Sequence, residues 1–315
     1  MADPSTYTVG WICALTTELN AAESLFDEEY DVTLDAQAPG DNNRYSFGRM
    51  GKHDVVVASL PEYGIGPAAS VATYMLRTFP NIRPRLMVGI GGGASSPKHD
   101  IRLGDVVVSV PFGAKGGVLH HECGKKIQKQ EFQFTGSLNQ PPQFLLTAVG
   151  ILEADYEGQG HELNERIEKA LSKRPRLRKR YARPLVATDR LFESSHTHRE
   201  SPAPAACTDN CGEENLITRE ARGDDDDDSM IHYGLIASSD KLMKDATIRD
   251  ELAREEGVLC FEMEAAGLMN HFLCLNVGSE QGMAGPSQKR VRLEVLKLPG
   301  SSSLSVRKQT ISPLS

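Results

Sequence analysis

Five segments, HDVVVASL (53–60), RLMVGIG (85–91), GDVVVSVPF (104–112), IHYGLIAS (231–238) and VLCFEME (258–264), are near-continuous apolar runs rich in β-branched residues. A strand with one wet face alternates apolar and polar side chains; these runs do not, so both faces must be covered. Segments of helical period lie between them and supply the cover: TTELNAAESLF (16–26), ASVATYMLRTF (69–79), PPQFLLTAVGILEA (141–154), NERIEKALSKR (164–174) and DKLMKDATIRDELAREE (240–256). The pattern predicts an α/β fold in which a mostly buried, largely parallel sheet is covered by helices. RYSFGRM followed by HDVVVASL reads as a hairpin around Gly51. Trp11, the sole tryptophan, falls in the apolar run YTVGWICAL (7–15) and is expected in the core.

A chain of 315 residues with 39% hydrophobic content has material for one large α/β domain. Its net charge of -8 argues against a nucleic-acid backbone as main partner, because phosphate binding needs a positive footprint. No stretch is apolar for long enough to cross a bilayer, and the first residues lack the basic start and apolar run of a secretory signal, so a cytoplasmic protein is expected. Three of the six cysteines, Cys13, Cys260 and Cys274, sit in apolar runs and read as reduced core residues. CTDNC (207–211) with His196 and His198 has the makings of a zinc site, but the spacing is unusual and a loose surface thiol pair is the plainer reading. The basic run 166–183 reads as a solvated helix face. Residues 194–229, polar and ending in an aspartate run, read as a surface insertion, and residues 278–315 as a disordered tail.

Three places carry candidate chemistry. YTVGWICAL runs into the TTELNAAESLF helix, where Thr16 or Thr17 is a candidate cap and Glu18 falls in the first turn. VGIGGGAS (88–95) ends a strand with glycines, Gly91 and Gly92 among them, that let a ligand approach the backbone; a tight turn is the plain alternative. FEMEAAG (261–267) places Glu264 at a strand-to-helix junction, where a carboxylate accepts two hydrogen bonds from a vicinal diol or merely caps the helix. All three lie at carboxyl ends of strands, where ligands bind in sheets of this kind.

YTVGWICALTTELNAA, EYGIGPAASVA, VGIGGGAS, RLGDVVVS, FQFTGSLNQPP, GLIASSDKLMKD and VLCFEMEAAGLMN together resemble the nucleoside phosphorylase and nucleosidase superfamily, nearest to its fungal branch found beside NACHT, ankyrin or tetratricopeptide partners. The resemblance covers about residues 7 to 277 and implies a nucleoside-phosphorylase-like three-layer α/β sandwich around a mixed sheet flanked by helices, cleavage of the bond between a nucleobase and ribose, a purine nucleoside as partner, no cofactor beyond phosphate as a possible co-substrate, and a homo-oligomer. It puts Glu18 where a carboxylate activates the attacking water. It puts Met263 and Glu264 where the ribose is held and Leu242 and Met243 at the base, with Gly91, Gly92 and Phe261 also lining the substrate.

Two departures stand out. Phosphorylases of this kind place Arg and Ser where this chain has Met87 and Ile90, neither of which grips an anion, so water is the expected attacking group; Arg44 or Arg49 of a neighbouring subunit is the remaining source of charge. After Val277 the resemblance stops, and no aspartate follows Asp250 to protonate the leaving base. The expectation is a chain lacking its last family strand, Asp motif and helix, with Leu268, Phe272 and Leu275 left exposed. A catalytically inactive, nucleoside-binding regulatory module is the alternative function.

Overall fold

The computed structural model describes residues 2–181, 186–196, 213–223, 227 and 229–280. In chain order the main elements are β1 (Val9–Cys13), α1 (Thr16–Ser24), β2 (Glu28–Tyr30), β3 (Tyr45–Met50), β4 (His53–Ser59), α2 (Ile65–Thr78), β5 (Arg85–Gly93), β6 (Val106–Ser109) and β7 (Val118–His120). There follow β8 (Gly124–Lys126), β9 (Phe132–Phe134), α3 (Gln143–Gln159), α4 (Leu163–Lys173), α5 (Pro175–Tyr181), β10 (Ile231–Ser238), α6 (Ala246–Glu256), β11 (Val258–Glu262), α7 (Ala265–Leu268) and β12 (Leu275–Glu280).

The main sheet runs β11-β10-β6-β12-β5-β1-β4-β3-β2, with β7 beside β10. Parallel pairs dominate its middle: β1 with β4 and β5, β12 with β5, and β10 with β6 and β11. The β3–β4 hairpin and the β12–β6 pair are antiparallel, which makes the sheet mixed. The end of β5 also pairs antiparallel with β11, Gly92 opposite Phe261, so five strands close into a ring. Closure brings the glycines of β5 and the end of β11 to one place.

The two-residue period of β1 divides the core. Ile12 faces α2 and α7, packing with Val71, Met75, Leu268 and Phe272. Trp11, as expected, is buried; it faces the other way, with Phe26, Leu86, Leu145, Val149 and Val277. Helices on two sides of a doubly covered sheet are what the uninterrupted apolar runs demanded.

The loss of a strand after Val277 is corrected by the structure. Leu275–Glu280 form β12, inserted between β5 and β6, with Gly278 opposite Gly89 and Glu280 opposite Gly91. Leu268, Phe272 and Leu275 are accordingly buried rather than exposed. Gly278, Ser279 and Glu280 have weak strand preference, but a slot with ladders on both sides overrides propensity. The tail beyond residue 280 lies outside the described residues, as do both cysteines of CTDNC.

Two smaller expectations are refined. The helix read from residue 240 begins only at Ala246, capped by the Asp245 carboxylate, which accepts from the N–H groups of Thr247 and Ile248. The described part of the insertion is tied down: Arg222 donates to the fully buried Asp105, and Arg219 pairs with Asp100 and Asp189. Basic residues of this region pair with acidic neighbours, Arg174, between α4 and α5, with Glu23 and Glu29, and Arg178 of α5 with Glu168. No described helix is long and apolar enough to cross a membrane.

Candidate active site

The first turn of α1 is held by a side chain other than the one anticipated. The cap position is Leu15, and neither Thr16 nor Thr17 occupies it. Glu18 instead folds back, its Oε2 accepting from the N–H groups of Ala14 (2.6 Å) and Leu15 (2.8 Å). Its Oε1 accepts from Ile90 N–H at 2.8 Å, across from helix to β5. Gly89 makes this possible, since a Cβ there would sit 3.0 Å from Oε1. Burial is the largest influence on the Glu18 carboxyl and pushes its pKa up to about 7, against the lowering effect of the three N–H groups.

The glycine run is part of β5 rather than a turn after it. Gly91 is required by close approach: a Cβ would lie 2.3 Å from Cys260 Sγ and 3.1 Å from the Phe261 carbonyl oxygen. Gly91→Ala is therefore expected to destabilise the chain by about 1–3 kcal/mol through overpacking. A thermal melt checks this, and an unchanged midpoint would mean that β5 and β11 separate freely.

At the end of β11, Glu262 and Glu264 both turn inward and are buried. Glu262 Oε2 accepts from the N–H groups of Glu264 and Ala265, each at 2.9 Å, and so caps α7. The neighbouring Ser238 hydroxyl accepts from Ala266 N–H at 2.9 Å. Glu262 Oε1 is buried with no hydrogen-bond partner among the described residues. Glu264 Oε2 accepts from Met263 N–H at 3.1 Å. Burial first, then the charges of Glu262 and Glu18, push the Glu264 carboxyl up to about 9. Burial also raises Glu262, opposed by the Ser238 hydroxyl, the two N–H groups and a hydrogen bond with the Glu264 carboxyl.

The structure thus brings Glu18 and Glu264 within electrostatic reach of one another and adds Glu262, which the sequence reading passed over. Gly92 is opposite Phe261 in the β5–β11 ladder. Met243 is buried in one cluster with Phe261 and Ala94, whereas Leu242 is 65% exposed. Asp240, also unanticipated, caps α2 by accepting from Ile65 N–H at 2.8 Å. Met87 is buried, Ile90 packs towards α4 and α5, and Arg49 is paired with Glu28. Among the described residues, the hydrogen bonds reaching the three carboxylates come from backbone N–H groups, the Ser238 hydroxyl and, for Glu262, the Glu264 carboxyl, and none from Lys, Arg or His.

No family model matches the chain. It is 42% identical over 272 residues to a nucleotide-binding leucine-rich repeat (NLR)-like protein of Hyaloscypha variabilis, covering 86% of this chain and 26% of that protein. The chain thus spans about a quarter of that relative's length. Among solved structures it is similar to the 5'-methylthioadenosine/S-adenosylhomocysteine nucleosidase of Helicobacter pylori with butyl-thio-DADMe-Immucillin-A, with TM-score 0.53, 13% identity, and coverage of 90% of this chain and 88% of that one. The corresponding nucleosidase of Neisseria meningitidis, in complex with methylthio-immucillin-A, gives TM-score 0.51 and 14% identity over 88% and 86% of the two chains. A futalosine hydrolase mutant of Helicobacter pylori gives TM-score 0.50 and 13% identity over 87% and 89%. The fold of this chain is that of these nucleoside-cleaving proteins.

Proposed function

We propose that this chain binds a purine nucleoside at the carboxyl ends of β5, β10 and β11 and directs water at its N-glycosidic bond. Glu18 is the base that takes the proton of the attacking water. Glu264, with the Met263 backbone, clamps the ribose diol. Leu242, Met243 and Phe261 meet the base, and Gly91 and Gly92 let the ligand approach β5. The observation that carries this reading is the trio of buried carboxylates. A ribosyl group that becomes cationic as the base departs is stabilised by fixed anions beside it.

The same trio opposes phosphate as the attacking group. An anion entering beside this trio meets the charge of its ionised members, and no Lys, Arg or His among the described residues hydrogen-bonds to them to offset it. Base release from adenosine, inosine or guanosine is therefore expected to proceed without phosphate. A strict phosphate requirement, with ribose 1-phosphate as product, would overturn the hydrolytic assignment.

The second reading is a nucleoside-binding module without turnover. It is favoured by the absence of any aspartate after Asp250, which removes the side chain expected to protonate the departing base. It also suits a segment that matches a quarter of a long NLR-like protein. A ligand-dependent rise in melting temperature without release of base would select it.

A further inference from the structure

We propose that Glu262 is a positioning residue of this site: it fixes the backbone of the ribose clamp and keeps on Glu264 a proton that nucleoside binding must displace. This rests on the assignment of Glu264 as the diol clamp.

The three carboxylates are unequally provided for. Glu18 accepts from three backbone N–H groups. Glu262 accepts from two and has the Ser238 hydroxyl and the Glu264 carboxyl itself beside it, and a proton on Glu264 shared with Glu262 favours charge on Glu262. Glu264 has the longer bond from Met263 N–H and a weaker influence from Gly64 N–H. Each N–H donor favours the ionised form, so the carboxyl with the poorest supply is the last of the trio to ionise.

The groups facing Glu264 do nothing to reverse this. From β11 comes Glu262, from α1 Glu18, and from the start of α2 the Gly64 N–H with Asp240 beside it. Farther back, the thiols of Cys274 and Cys13 lie near Glu262 and Glu18 respectively. The pKa of Glu264, pushed up to about 9, agrees with this ordering. Glu262 therefore acts twice on its neighbour. Its Oε2 holds the Glu264 and Ala265 N–H groups, and its charge discourages a second charge two residues on.

A vicinal diol is held more strongly by a carboxylate, which accepts from both hydroxyls, than by a carboxylic acid. Ribonucleoside binding should then release the Glu264 proton. Adenosine affinity is expected to rise about tenfold per pH unit from pH 7 towards pH 9, as one proton released per ligand requires. Adenine, which lacks the diol, should show no such slope.

The test is titration of adenosine and adenine across this range with the wild-type chain and Glu262→Gln. The glutamine oxygen can still accept from the Glu264 N–H, so the clamp backbone is kept while the charge is removed. The variant is expected to bind adenosine about tenfold more tightly at pH 7, the equivalent of one pKa unit on Glu264, with a flatter profile. Parallel profiles in the two proteins would overturn the role of Glu262 and leave the nucleoside site standing. Absence of adenosine binding at every pH would overturn the site and this role together. Should the variant fail to fold, calorimetry of the wild-type chain at pH 8 in two buffers of different ionisation enthalpy still decides: close to one proton leaves with each adenosine bound, and release of none overturns the proposal.

Discussion

Glu18→Gln is expected to lower base release by about a hundredfold to ten-thousandfold, the usual contribution of a positioned general base, while adenosine binding changes little. The carboxylate is placed by three backbone N–H groups contributed by the β1–α1 junction and by β5. A glutamine has one acceptor oxygen in place of two, so it satisfies either Ile90 N–H or the Ala14 and Leu15 pair, and an N–H facing its amide nitrogen goes unpaired. That mismatch destabilises the fold by about 1–3 kcal/mol and is read separately in a melt. The chemical effect has its own signature. With its pKa raised to about 7, Glu18 is largely protonated at pH 6 and ionised at pH 8. Turnover by the wild-type chain should rise through this interval and level off, and the residual turnover of the variant should lose that step. Release of base at the wild-type rate by the variant would remove Glu18 from the chemistry. Single-turnover measurement isolates this chemical step from product release and is the suitable readout.

The sheet was legible in the sequence because its strands are buried on both faces, and burial writes a continuous apolar run that survives without any alignment. β12 was not, for the opposite reason. Its second half, Gly278, Ser279 and Glu280, has no run to show, and becomes a strand only because β5 and β6 stand ready on either side. That information is carried by residues far away in the chain. The same holds for the pairing of β11 with β5, which unites the glycine run with FEMEAAG.

At the site, the first-turn position of Glu18 just after a strand was legible, whereas the role proposed for it came only from the family resemblance, since a first-turn carboxylate also serves the helix end. Which N–H groups it binds was not, since Ile90 is distant in sequence. Glu262 was overlooked because it closes an apolar run and reads as a strand residue. A signal existed: in VLCFEME, two glutamates two apart lie on the same side of an extended chain, and burying one beside the other calls for a reason. The exposure of Leu242 against the burial of Met243 is a matter of loop conformation after β10, which no periodicity encodes.

Replacing Glu264 by glutamine should have opposite effects on the empty fold at the two ends of the pH scale. In the native chain burial and the charges of Glu262 and Glu18 push this carboxyl up to about 9, against 4.5 for an unperturbed glutamate. Between those two values the native state holds a proton that the unfolded chain has lost. Stability from this group is therefore fully present below about pH 4.5 and is lost as pH rises through the folded value, at about 1.4 kcal/mol for each unit. Glu18, raised to about 7, adds a slope of the same sign over a shorter window. Glu264→Gln removes the longer slope. At pH 5 the variant carries only the penalty of fitting an amide where an acid was, about 1–3 kcal/mol, and should melt below the wild type. At pH 9 the wild type has lost several kcal/mol, and the variant should melt above it, with each kcal/mol moving the midpoint by about 2–4 °C. The crossing of the two curves is the diagnostic. A difference independent of pH would show that Glu264 does not hold a proton in the empty site. Adenosine affinity should move the other way, with the variant's deficit widening as pH rises and the wild-type carboxylate forms, while adenine binds both alike. A site that opposes the stability of its own empty fold gains it back on binding a diol, which is why the same substitution is expected to strengthen the empty protein at high pH and weaken its hold on a ribonucleoside.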